Sequence, residues 1–394
     1  MSEPKASGAR LGSLHAAAML THGVYLPFFP LWLQSRNLSP TMIGIIVALP
    51  IVVRVLATAP LLGLTDRGVS ARDLLVAFYL SQVVGYAALA FTDNALVIAA
   101  LVAAISIGQS AVIPANDLVT TIEVQKQAGL DYGRIRSYGS VSFLAASVLA
   151  GYLVEVFGIP VVVWALALIP LLGILATCLA LPGRDAARPA SAPKAPGQKR
   201  AALRPVLYVV MIGAALIQGS HGALYTFSSI FWQSAGFSDA MIGTLWAFGV
   251  VAEILVFFYL GRYVGRGSDG LALIAMGGAA AVARFAAMTF HPGLAVTFGL
   301  QALHGLTFGA SHLGAIAALT TLAPARVRGL AQGLYGSVSA LIMVASTLLS
   351  GVVYRHAGSF VFAAMVPLAA MGLALIVAAF LMLRAQPQSE GSGG

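Results

Sequence analysis

The chain has 394 residues, of which 59% are hydrophobic and only 9% charged, and its mean hydropathy is +0.91. A water-facing globule carries about 25% charge, so a soluble domain is excluded, and so is a large soluble helical solenoid, whose outer faces would need charge. The net charge of +9 would fit a nucleic-acid binder, but the placement of the basic residues gives it another meaning.

Crossing a bilayer as a helix takes about 20 apolar residues. Twelve such runs are predicted, at 11–34, 40–63, 74–92, 95–121, 136–157, 160–181, 205–232, 240–261, 271–290, 294–319, 330–353 and 360–383. Membrane β-strands would be about ten residues of alternating polarity, and none is present. The expected fold class is an all-α membrane protein.

Along the chain, span one carries His22 and Tyr25, and span two carries Arg54. A polar loop follows, Gly63-Leu64-Thr65-Asp66-Arg67-Gly68. Span four holds Gln109 and, about one turn from its inner end, Asp117; Arg136 opens span five. Cys178, the only cysteine, lies in span six, so there is no disulfide and no thiol metal site. Span seven carries His221 and Tyr225, span eight Glu253, span nine Arg284 and span ten His304.

With the N-terminus inside, the outer loops hold only Arg36 and Arg355, Arg54 and Arg284 lie within spans, and the remaining 18 of 22 basic residues fall on one side. That asymmetry is the positive-inside rule and places both termini in the cytoplasm. The basic excess is therefore topological, with no nucleic-acid partner implied. No cleavable signal precedes the first span. The closing Gly391-Ser392-Gly393-Gly394 reads as a fusion scar.

Residues 22–44 return 199 positions later. His22-Gly23, Phe28, Gln34, Ser39 and Met42-Ile43-Gly44 become His221-Gly222, Phe227, Gln233, Ser238 and Met241-Ile242-Gly243. Tyr138-Gly139-Ser140-Val141-Ser142 returns as Tyr335-Gly336-Ser337-Val338-Ser339. The chain reads as a duplicated six-span unit. One bundle is expected at 1–181, a Pro- and Ala-rich cytoplasmic linker at 182–204, a second bundle at 205–384 and a tail at 385–394. The linker composition suits an extended tether. Parallel repeats in membranes place a binding site at the repeat interface and move one half against the other.

Six plus six spans, parallel duplication and a basic middle loop resemble the major facilitator superfamily over the whole chain. The Gly63 to Gly68 loop is similar to that superfamily's Gly…Asp-Arg…Gly…Arg loop, although the first Gly sits one place too near Asp66 and Arg72 trails too far behind. Gly265 replaces Asp66 in the second half. The resemblance implies a latch on the cytoplasmic gate by Asp66 and Arg67. Asp131-Tyr132-Gly133-Arg134-Ile135-Arg136-Ser137-Tyr138-Gly139-Ser140 looks like the entrance to span five in phenylpropionate permeases and the related lactose permeases. Leu303-His304-Gly305-Leu306-Thr307-Phe308, with His312-Leu313, looks like span ten of the phenylpropionate permeases, and Val251-Ala252-Glu253 is similar to their span eight. This subfamily resemblance implies proton-coupled uptake at the inner membrane. Lactose permeases also place an acid–Arg pair much as Asp117 and Arg136 lie here, one residue closer, which implies a second pair serving the site or the inner gate. Their span-ten histidine relay uses an acid where this chain has Thr307, so that proton site does not carry over.

His22, Arg54, His221, Glu253, Arg284 and His304 all fall near the middle of their spans. A charge at the bilayer centre costs about 2.5–3.5 kcal/mol. Two arginines and a glutamate facing lipid would together cost about 8–10 kcal/mol, as much as a protein's whole stability, so they are expected to point inward and to share one polar site. A carboxyl in an apolar cavity holds its proton more tightly and a nearby Arg loosens it; a carrier needs that balance to tip. Glu253 is therefore the first candidate for proton coupling, with Asp117 and His304 as alternatives. A permanent Glu253–Arg pair that only fixes packing is the competing reading. Arg54 and Arg284 are candidate carboxylate readers, unless each is absorbed by an acid or by helix carbonyls. With His neutral, Arg54, Arg284 and Glu253 sum to +1, which suits a monoanion. His22, His221, Tyr25, Tyr225, Gln109 and Arg136 are expected to complete the substrate lining, the aromatic faces suiting a ring-bearing cargo.

The expected function is proton-coupled uptake of a small organic substrate, a carboxylate such as an aromatic acid, by alternating access. A proton-coupled exporter and a sugar or nucleoside symporter of the same fold are the alternatives. The expected partners are substrate, protons and the lipid bilayer, for a monomer with no cofactor and no metal. An intramembrane enzyme lacks support: no His-Glu-x-x-His is present, and Ser220-His221 and Ser311-His312 are helix neighbours that cannot face each other. An ATP-driven pump needs a phosphate-binding Gly-Lys, and no lysine here follows a glycine.

Overall fold

The computed structural model describes residues 7–181, 203–261 and 267–385. Most of the linker, the tail beyond 385, Gly265 and the basic residues of those stretches lie outside the described residues. Among the described residues, twelve long helical stretches follow one another, two of them (α7 and α10) interrupted: α1 Gly8–Ser35, α2 Pro40–Asp66, α3 Ala71–Leu89, α4 Ala95–Lys126, α5 Tyr132–Phe157, α6 Val161–Ala180, α7 Pro205–Ser234, α8 Asp239–Leu260, α9 Gly267–Met288, α10 Leu294–Leu322, α11 Arg328–Ala357 and α12 Val366–Arg384. Among the described residues, 11 helical stretches are long and apolar enough to cross a membrane. The remaining helix, α3, opens on Arg72-Asp73 and carries Gln82, which lower its hydropathy. Large apolar side chains face outward, with Phe91 80%, Phe157 68% and Phe290 81% exposed. All three sit at the ends of α3, α5 and α9, where aromatic rings favour the membrane–water boundary.

Observed and expected spans differ mainly at their ends. α5 starts at Tyr132 rather than at Arg136 because the Asp131 carboxylate accepts from the Arg134 N–H at 2.6 Å and caps it. α4 continues through Lys126, so Asp117 lies deeper in its helix than one turn from the end. The run from 360 begins as short 3-10 turns, and α12 proper starts at Val366 with Pro367 in its first turn.

The duplication is legible in the local chemistry. Ser39 and Ser238 cap α2 and α8 alike, each accepting from the N–H three residues on at 3.3 Å. Before them, Asn37 (φ 58) and Gly236 (φ 86) occupy the same left-handed turn position, which Gly and Asn tolerate best. Ser147 of α5 donates to the Gly23 carbonyl of α1 at 3.0 Å, and in the second unit Ser346 of α11 donates to the Gly219 carbonyl of α7. A Cβ on Gly23 would lie 2.7 Å from Phe143 O, and one on Gly222 2.8 Å from Thr347 N. Close approach through small residues is how membrane helices pack. Gly222→Leu is therefore expected to overpack the α7–α11 contact, costing about 1–3 kcal/mol or more. Thermal unfolding in detergent checks this, with Gly336→Leu, whose position faces open space, as the neutral control.

By contact the chain divides into two compact units, one of Met1–Pro196 with Tyr225–Ala247 and one of Gly197–Leu224 with Phe248–Gly394. In the first, α1 packs on α5 and α6, α2 on α4, and α3 on α4 and α6, around Leu11, Leu14, Leu75, Tyr79 and Ala115. The segment Tyr225–Ala247 groups here because α8 meets α5 backbone to backbone. A Cβ on Gly151 would lie 2.5 Å from Asp239 O, and Glu155 Oε2 accepts from the Ala240 N–H at 3.0 Å. In the second unit, the first part of α7 packs on α11 and α12, and α9 on α10 and α12.

Candidate functional site

Two irregular turns shape the polar core of the second unit. α7 is broken at Ser220-His221, and α10 widens into a π turn over Gly305–Ala310. π turns displace the regular ladder and recur at functional sites. The Phe308 carbonyl of this turn accepts from Gln218 Nε2 of α7 at 3.2 Å. Gly305 and Gly309 let α8 come close: a Cβ on Gly305 would lie 2.5 Å from Ala252 O, and one on Gly309 3.4 Å from Glu253 Cγ.

Arg284 of α9 is fully buried here. Its Nη1 donates to His304 Nδ1 at 2.9 Å and to Thr307 Oγ1 at 3.2 Å, and Nη2 donates to Gln301 Oε1. Thr307 Oγ1 also lies 3.0 Å from His221 Nε2, while His221 Nδ1 faces the carbonyls of Ile217 and Gln218. The His221 and His304 rings are 5.6 Å apart. His304, Phe308 and His312 form a nearly parallel column along α10, at 5.6 and 6.0 Å. Burying a guanidinium is costly unless its donors are satisfied, and these neutral acceptors take hydrogen bonds from both of its terminal nitrogens.

Glu253 lies half-buried beside Gly309 and Val256. Among the described residues its carboxylate has no ion pair and no hydrogen bond. The permanent Glu253–Arg pair considered as an alternative is thus not formed here. Arg284 bonds instead to its α10 neighbours.

In the first unit, Arg54 projects from the middle of α2. One turn on, Thr58 donates to Arg54 O at 2.7 Å and to Ser110 O at 3.2 Å, setting this face of α2 against α4. On α1, His22 Nδ1 lies 2.9 Å from Ala18 O. The Arg54 side chain is exposed, and its guanidinium has neither a hydrogen bond nor an ion pair among the described residues. Tyr25 stacks on Phe29 with centroids 4.6 Å apart, and Tyr86 OH donates to Gln109 Oε1 at 3.3 Å. An unengaged guanidinium is equipped to take a carboxylate.

A second polar cluster gathers around Asp117. Its Oδ1 accepts from Arg136 Nη1 and from Tyr132 OH, both at 2.8 Å, and lies 3.9 Å from His15 Nδ1. His15 Nε2 is 2.9 Å from Thr120 Oγ1. The Asp117–Arg136 pair is about a third to a half exposed, so water weakens it.

Two expected placements differ. Asp66 and Arg67 are exposed where α2 ends, and neither makes an ion pair among the described residues. The helix C-terminus attracts cations rather than carboxylates, and Gly68 (φ 93) turns the chain away, so the latch contact is not made in this structure. Tyr225 stacks on Trp246, 6.1 Å away, within the first unit, while His221 belongs to the second. The neighbours not anticipated from sequence are His15, Tyr132 and Thr120 at Asp117, and Gln301 at Arg284. His15 lies two helical turns before His22, and Gln301 one turn before His304, so helical spacing from residues already singled out would have found both. No group of three metal-ligating side chains occurs among the described residues.

Residues 19–364 match the model of the MFS_1 like family. A probable 3-phenylpropionic acid transporter of Escherichia coli (strain K12) is 32% identical over 367 residues, 90% of this chain and 93% of the relative. A maltose permease of Geobacillus stearothermophilus is 27% identical over 322 residues, 80% and 79% of the two chains. The solved structure of nucleoside transporter NupG superposes with a TM-score of 0.72 at 14% identity, covering 96% of this chain and 99% of that one. A bacterial homolog to the human lysosomal transporter Spinster, inward-facing and occupied, gives 0.67 at 16% identity, covering 98% of each.

Proposed function

The chain belongs to the MFS_1 like family of transporters, a multi-pass membrane protein and not an enzyme, and from that membership we propose that it takes up a small aromatic carboxylate together with a proton. Alternating access of the halves at 1–181 and 205–384 moves the cargo, in the inner membrane, with both termini cytoplasmic and the protein working as a monomer. The observation that carries this reading is the pair of unengaged ionic side chains at mid-span. Arg54 and Glu253 each make no ion pair among the described residues, at a depth where an idle charge is costly. An anion on Arg54 and a proton on Glu253 together remove both charges, which lowers the barrier to turning the loaded protein. The naming of one relative for 3-phenylpropionic acid supports a cargo of one ring, a short chain and one carboxyl. His22, Tyr25 and Gln109 line the Arg54 side, while Asp117 and Arg136 serve the inner gate with Asp66 and Arg67.

A thermal-shift screen of the purified protein against small acids, sugars and nucleosides, at two pH values, tests the cargo class. Aryl-alkyl carboxylates are expected to stabilise it with concentration, by about 2.7 kcal/mol at a hundredfold excess over Kd. Stabilisation by sugars or nucleosides with none by carboxylates would overturn the reading.

A further inference from the structure

Where α5 and α8 meet, glycine brings backbone against backbone. Ser147, Gly151 and Glu155 are spaced by four and share one face of α5. A Cβ on Gly151 would lie 2.5 Å from Asp239 O and 3.1 Å from Ala240 Cα, and one on Gly243 would press on the Ser147 carbonyl oxygen. Glycine at both places leaves no side chain to unthread there when the helices part. One carboxylate closes the end of this contact: Glu155 Oε2 accepts from the Ala240 N–H at 3.0 Å. Ala240 lies in the first turn of α8, where backbone N–H groups have no partner within the helix. Ser238 Oγ takes the Met241 N–H, and the Asp239 carboxylate is held by Gln233 Nε2 at 2.9 Å. Glu155 thus supplies from another helix an acceptor that the α8 cap does not, and its charge meets the positive end of the α8 dipole.

We infer that Glu155 is a positioning residue of the transport cycle: seated on the Ala240 N–H, its carboxylate latches the hairpin Tyr225–Ala247 onto α5, and the latch is released when that end of the bundle opens. The hairpin, made of the second part of α7 and the first part of α8, belongs with α5 in the first unit. Water reaches both partners, since Glu155 is exposed and Ala240 half-buried. A charge at a helix end in such a place biases an equilibrium by about two- to fivefold. That is enough to favour the closed contact and little enough to be undone in every cycle, because water takes over both groups when they part. The inference rests on the alternating access proposed above and is indifferent to the cargo and to the proton site.

The test reads how often the contact opens. Cys178→Ser removes the only cysteine, and Ala240→Cys then places a thiol in the contact while keeping the N–H that Glu155 accepts. The rate at which a small maleimide alkylates this thiol is measured on the full-length protein in detergent. Adding Glu155→Ala is expected to raise the rate by about two- to fivefold. Glu155→Gln, which keeps an acceptor oxygen and loses the charge, should fall between. Gly151→Ala, whose Cβ presses on the Asp239 carbonyl, should raise the rate without touching the carboxylate. The unfolding temperature of Glu155→Ala should stay close to the parent's, because an exposed contact of this kind adds little stability. A lower unfolding temperature with parental labelling would make Glu155 a packing residue and overturn the inference. Faster labelling in Gly151→Ala but not in Glu155→Ala would overturn the latch and leave opening at this end standing. Parental labelling in both would count against the latch and against alternating access at this contact together.

Discussion

Glu253→Gln is expected to abolish proton-driven accumulation of cargo while leaving exchange of cargo across the membrane intact. Glutamine keeps the shape of the side chain and its contact with Gly309 but cannot take up or release a proton. If Glu253 is the carrier, the variant behaves as a transporter fixed in the protonated form, which turns over only when loaded. Under a pH gradient of one unit, coupling of one proton supplies about 1.4 kcal/mol, enough for about tenfold accumulation. The variant should exchange labelled for unlabelled cargo and accumulate none. Counterflow in proteoliposomes, in which labelled cargo exchanges against unlabelled cargo inside, should proceed near the parental rate. Uphill uptake retained by Glu253→Gln would move the proton site, with Asp117 next in line because its carboxylate is also partly open to water.

Arg54→Gln should weaken binding of the carboxylate by about tenfold to a hundredfold, the worth of a charge-assisted hydrogen bond. The neutral amide analogue of the same cargo should lose little. Arg54→Lys should fall between, since it keeps the charge and loses the planar fork. This variant should not be destabilised, because the guanidinium engages no described residue through a hydrogen bond or ion pair. Arg284→Gln offers the contrast. Its parent side chain is buried and bonds to three neighbours, so its loss strands buried acceptors and should lower the unfolding temperature. Binding and unfolding measured on both variants separate the roles. Equal losses for acid and amide in Arg54→Gln would make Arg54 a packing residue.

Much of the architecture was legible in the sequence because membrane spans announce themselves. A run of apolar residues preceded by a Ser, Asn or Asp cap marks the start of a helix, and spans such as α2 and α8 begin within a residue of expectation. The ends that slipped did so where polar residues continue a helix past its apolar run, as at Tyr132-Gly133 of α5 and at 122–126 of α4. The π turn of α10 left no mark, since Gly305-Leu306-Thr307-Phe308-Gly309 is as compatible with a regular helix. The Asp117–Arg136 pair was legible through the resemblance to lactose permeases, which place an acid–Arg pair at a similar separation. Tyr132 and Thr120 nearby were not, because a lone neutral polar residue is unremarkable until a neighbour is known. The burial of Arg284 could be expected from cost alone, but its bond to His304 depends on which faces of α9 and α10 meet.

Proton movement measured alongside cargo uptake tests the central claim most directly. Proteoliposomes with a buffered interior and a weakly buffered exterior are given an aryl-alkyl carboxylate, and external pH is followed with labelled cargo. The account predicts that cargo entry alkalinises the exterior, that a protonophore abolishes accumulation above equilibrium, and that Glu253→Gln shows neither effect while still exchanging cargo. Accumulation by the parent that is indifferent to the proton gradient, with no pH change on entry, would contradict it.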